Sequence, residues 1–75
     1  NTDAPKILPF QISNSIPQIA SYMTDLMTMH TNVSKYAAST ESETKRLVAG
    51  RIQKSIEKIN TCFADIIKHL DKLAL

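Results

Sequence analysis

The 75-residue chain has one cysteine, one glycine and no tryptophan. A lone Cys62 excludes a disulfide within the chain, the usual staple of a domain this small. A single glycine argues against an all-β fold, whose many tight turns draw on residues that accept left-handed backbone. Soft metal ligands are confined to His30, Cys62 and His69, too few for a closed zinc site, so no metal or other cofactor is expected. No run of 18 apolar residues exists, so no membrane-spanning helix is expected. Nine Lys and Arg against seven Asp and Glu leave a net charge of +2, too mild to imply nucleic acid or an anionic membrane as partner. No Gly-rich phosphate loop, carboxylate pair or nucleophile–base constellation is present, and so small a chain offers no enclosed pocket; an enzyme is not expected.

What remains is a single small domain. A chain of this length buries only about 60–65% of the surface it exposes when unfolded, so idealised helix packing or association with another molecule must supply its stability. It begins at Asn1, as expected of a processed product or a piece of a longer protein, and its compartment is not legible. Asn32-Val33-Ser34 matches a glycosylation sequon and Asn60-Thr61-Cys62 a rarer form of it; both fall in expected helix.

Residues 1–14 carry Pro5 and Pro9, which disfavour helix at and before them, and predict an extended arm. Its apolar residues Ile7, Leu8, Phe10 and Ile12 predict that the arm docks. A helix is expected over about residues 16–38, opened by Ser15 as cap with Gln18 reaching back. Its heptad positions are Ile16, Ile19, Met23, Leu26, His30, Val33 and Ala37, at alternating spacings of three and four. Residues 38–46 hold no large apolar side chain. Thr40-Glu41-Ser42-Glu43 reads as a capping box, which predicts a turn at about 38–41 and a second helix over about 41–74. That helix repeats Ala49, Ile52, Ile56, Ile59, Phe63, Ile66, Leu70 and Leu73 at the same spacing.

The two repeats do not share a register, so one straight helix would carry two seams on different sides. Folding back gives one shared seam, and the expected architecture is an all-α antiparallel hairpin. Centring the turn on Glu41 pairs Val33 with Ala49, His30 with Ile52, Leu26 with Ile56 and Met23 with Ile59. It pairs Ile19 with Phe63, Ile16 with Ile66 and Ile12 with Leu70. Every layer but that of His30 is apolar.

Two helices do not enclose a core, and the flanks are apolar too. Tyr22, Met29 and Tyr36 lie on one side of the first helix, Ala20 and Met27 on the other; Val48, Cys62 and Ile67 flank the seam on the second. Between Phe10 and Ser34 only Asp25 is formally charged, whereas the second helix is Lys-rich. These surplus apolar flanks predict completion of a four-helix bundle, by a second copy of the chain in a dimer or by a larger protein partner. The expected function is therefore a non-enzymatic protein–protein interaction or assembly module. A second reading is a small carrier of an apolar ligand such as a lipid, with Met23, Met27, Met29 and Tyr22 as lining and the arm as lid.

Individual polar groups have simple expected roles. His30 is read as a core histidine satisfied near Ala49 and Gly50, with a pH-sensitive or register-setting role as the alternative. His69 lies near a helix C-terminus, where a cation favours the dipole. Cys62 is read as a small buried hydrophobe or an interchain disulfide. Lys54, Lys58, Lys68 and Lys72, interleaved with Glu57, Asp65 and Asp71 and lacking aromatics, are read as a solvated face.

Overall fold

The computed structural model describes residues 4–74, with side-chain environments from Phe10 onward. It is all-α: α1 spans Ala4–Ser39 and α2 spans Glu43–Ala74. The helices pack antiparallel as a hairpin, a rod with extents of 62 × 14 × 14 Å. Among the described residues there is no strand.

The first helix begins about twelve residues earlier than its capping signal predicts. Residues 4–14 are helical rather than an extended arm. Pro5 sits in the first turn, where its missing N–H has no helical partner to lose. Pro9 and Pro17 each leave one carbonyl without its donor, a local cost that continuation of the seam offsets. Ile12 and Ile16 are half-buried and extend the inward row of α1. Ser15, expected as a cap, instead donates its hydroxyl to Gln11 O at 3.2 Å, inside the helix. Phe10, expected to dock, is 68% exposed. The expected docking of Ile7 and Leu8 lies outside the described side chains, and residues 1–3 lie outside the described residues.

The turn is residues 40–42, against an expected 38–41, and α2 starts at Glu43 rather than at about 41; the pairing scheme's centre, Glu41, lies in its middle. Its cap is Ser42, not Thr40. Ser42 Oγ accepts from Lys45 N at 3.3 Å, and Arg46 N donates to Ser42 O at 3.1 Å. This is the N-cap arrangement that satisfies an otherwise orphaned amide of the first turn. Lys45 stands where a capping box needs Glu or Gln, so the reciprocal half is absent. Thr40 bends the chain: its Oγ1 accepts from Ser42 N at 3.2 Å, the local turn that hydroxyl side chains favour. The Arg46 guanidinium donates to Thr40 O at 2.8 Å, and Thr40 N donates to Tyr36 O at 3.1 Å, closing the end of α1.

On α1 the row facing α2 is the expected one. Ile16, Ile19, Met23, Leu26, His30, Val33 and Ala37 are half-buried, and from Ile19 onward each lies between exposed neighbours. On α2 the row differs from the expectation at every second position. Ala49, Ile56, Phe63 and Leu70 turn inward, but their companions are Gln53, Asn60, Ile67 and Ala74. Ile52, Ile59, Ile66 and Leu73, expected in the seam, are 40%, 44%, 44% and 65% exposed. The apolar arc of α2 is wider than one neighbouring helix covers. The first helix takes one edge of that arc and leaves the other outside.

Candidate functional site

Each helix advances about 100° per residue, so positions seven apart return to nearly the same side. Tyr22, Met29 and Tyr36 form such a row on α1, each close to half exposed. Ile52, Ile59, Ile66 and Leu73 form another on α2, joined at the turn end by Val48. The two rows lie on the same side of the hairpin. At the turn end they line one open groove of about 370 Å³, bordered by Met29, Val33, Tyr36, Val48, Ala49 and Ile52. Lys45, Thr44 and Asn32 supply its polar edge. Farther along, the ring of Tyr22 meets that of Phe63, with centroids 6.4 Å apart and planes tilted by 42°, a separation at which aromatic pairs attract.

The residues expected on the flanks divide as follows. Tyr22, Met29, Tyr36 and Val48 lie on this shared face, and Cys62 is exposed beside it, between Ile59 and Ile66. Cys62 is thus on the flank the sequence gives it, and of its two expected roles the small buried hydrophobe is the one that its exposure within the hairpin corrects. Ile67 is a second correction: it is half-buried in the row facing α1, and its neighbour Ile66 takes the outward place. Met27 is 46% exposed on the opposite flank of α1. Sequence reasoning missed the Ile52, Ile59, Ile66 and Leu73 row as surface. The available signal was that Ala49, Ile56, Phe63 and Leu70 serve equally well with either set of companions.

The opposite side carries Met27 and Ala20 together with the polar contact across the seam. His30 reaches across the seam to Glu57, Nε2 to Oε2 at 2.8 Å. An ionised carboxylate only accepts, so the imidazole nitrogen is the donor. The sequence places His30 against Ile52 and the small residues near Ala49; the structure gives it a carboxylate instead. Both cross-helix contacts, His30–Glu57 and Tyr22–Phe63, fall three to five positions farther along α2 than the expected pairing. The physical reason is side-chain direction. Cβ atoms tilt toward the N-terminus of their own helix, so in an antiparallel pair the tips lean opposite ways.

Asn60 is the weak point of the seam. Its Oδ1 is buried without a hydrogen-bond partner, a cost of about 1–3 kcal/mol for an unpaired buried polar group. The buried apolar residues among those described are Ala49 and Ile56, each 3% exposed. The hairpin thus buries little, while its outer row of isoleucines remains in water.

The remaining polar groups are local. His69 donates from Nδ1 to Asp65 O at 2.8 Å, within its own helix. Thr24, Thr28 and Thr31 donate to the carbonyls of Ala20, Thr24 and Met27, so their hydroxyls on charge-poor α1 are satisfied by its own backbone. Lys54, Lys58, Lys68 and Lys72 are exposed with Glu57, Asp65 and Asp71 among them. Among the described residues, no three His, Cys, Asp or Glu side chains come together as a metal site requires. No described helix is long and apolar enough to cross a membrane. Among known proteins, no family model matches the chain, no curated protein matches it, and no solved structure matches it.

Proposed function

We propose that the chain is a non-enzymatic protein–protein interaction module whose working surface is the apolar face spanning both helices. The observation that carries this reading is the outward row Ile52, Ile59, Ile66 and Leu73 beside Tyr22, Met29 and Tyr36. Scattered exposed apolar residues are ordinary, but a contiguous stripe of them marks a surface that another molecule covers. Rows at heptad spacing fit the ridges and grooves of a further helix pair, the geometry of a helical bundle. The buried, unpartnered Asn60 carbonyl supports the same reading, because the stronger apolar row is the one left free.

A second reading has one specific observation in its favour. The groove at the turn end is apolar along its walls and carries Lys45 at its edge, a layout that suits a fatty acid. Thermal melts separate the two. The interaction reading predicts a melting temperature that long-chain fatty acid leaves unchanged and that only a bound protein, a second copy or another partner, raises. A melting temperature that rises with added long-chain fatty acid and ignores chain concentration would overturn it in favour of a lipid carrier.

A further inference from the structure

We infer that the occupant of this face is a second copy of the same chain, so that two hairpins close a four-helix bundle face to face. The inference rests on the interaction reading above and specifies its partner.

Area is the first argument. Eight large apolar side chains on the face each keep between 40% and 65% of their surface exposed. Taking a fully exposed large side chain at about 150–220 Å², they present roughly 700 Å² per chain, and two copies on the order of 1,400 Å², within the range of a stable interface. Within the lone hairpin only Ala49 and Ile56 of the described residues are buried apolar side chains, and pairing would add this face to what is buried.

Shape is the second argument. The face consists of one row at heptad spacing from each helix. A surface that complements it needs rows of the same pitch and similar length, and another copy of this hairpin supplies them. The turn-end groove between Tyr36, Met29, Val48 and Ile52 is a socket for a large side chain from such a row. Its lining holds no carboxylate, and its one charged residue, Lys45, is exposed at the edge, where it keeps its contact with water. A two-fold pairing of identical patches also closes on itself and leaves no open end.

The test is spin-label distance measurement on the intact chain. Exposed Lys54 stands away from the face, so the label is placed at Lys54→Cys in a Cys62→Ala background. Dipolar coupling between labels at micromolar concentration, abolished by dilution with unlabelled chain, is the expected result. Adding Ile59→Glu should remove the coupling, whereas Lys58→Glu should leave it. If Ile59→Glu fails to fold, the dilution series alone decides. Absence of coupling at every concentration overturns self-pairing. In that event, binding of an apolar reporter dye to wild type but not to Ile59→Glu would keep the docking face with another occupant. Absence of dye binding as well would overturn both readings.

Discussion

Ile59 and Asn60 are neighbours in sequence that stand on opposite sides of the interhelical contact. Asn60 faces α1 with its Oδ1 buried and unpartnered, while Ile59 is 44% exposed on the free face. The arrangement is costly for the hairpin alone, since the apolar side chain is wet while the amide oxygen of the half-buried polar one is dry. It becomes reasonable when Ile59 belongs to a second contact. An Asn inside a seam also fixes which rows pair, at some expense of stability.

Asn60→Leu removes the unpartnered carbonyl and keeps the branched shape of the side chain, in a residue that is half-buried and so has room for the larger methyls. It should stabilise the fold by about 1–3 kcal/mol, seen as a higher midpoint in urea denaturation followed by circular dichroism. Loss of stability would show that the Asn60 amide is satisfied in solution.

Gly50→Ala should also stabilise. Gly50 lies inside α2, and a Cβ added there would meet nothing within 4 Å. Glycine in a helix interior costs about 0.5–1 kcal/mol relative to alanine. A thermal melt should rise by roughly 4–8 °C for each kcal/mol in a domain of this size. A fall would mean that another molecule approaches the backbone closely at this point.

The two candidate caps can be told apart. Ser42→Ala should cost about 0.5–2 kcal/mol, the range for losing an N-cap. Thr40→Ala should cost less, because its hydroxyl makes a turn hydrogen bond and caps no helix. The reverse order in chemical denaturation would put the cap back at the position the sequence pattern suggests.

The His30–Glu57 pair is a modest contributor. Glu57 retains 59% of its side-chain exposure against 22% for His30, so solvent weakens the pair. A double-mutant cycle with His30→Ala and Glu57→Ala should give a coupling of about 0.2–1 kcal/mol. A coupling of several kcal/mol would mean the pair is dry, as it would be if this side of the hairpin were also covered.

Much of the architecture was legible in the residues. The polar stretch around Glu41 and the two mismatched heptad repeats lead to the hairpin, and the α1 row from Ile16 to Ala37 faces inward. The start of α1 was not legible, because Pro5 and Pro9 read locally as an arm. Their effect is outweighed by a helix that continues the Ile12–Ile16 row along α2. The choice of row on α2 was hidden for a different reason. Ala49, Ile56, Phe63 and Leu70 belong to both possible seams, and hydrophobicity favours Ile52 and Ile59 as companions over Gln53 and Asn60. Periodicity reports that an arc is apolar; it does not say which edge goes to the intrachain neighbour. For the same reason Ile66 and Ile67 exchanged places.

The central claim, that the outward isoleucine row pairs with a second copy of the chain, is tested most directly by sedimentation equilibrium of wild type and Ile59→Glu side by side, over about 1–100 μM, where a dimer of ordinary affinity forms. The account predicts a wild-type mass of twice 8.4 kDa and a helical Ile59→Glu chain at the monomer mass. Equal masses for the two chains, whether monomer or dimer, would contradict it.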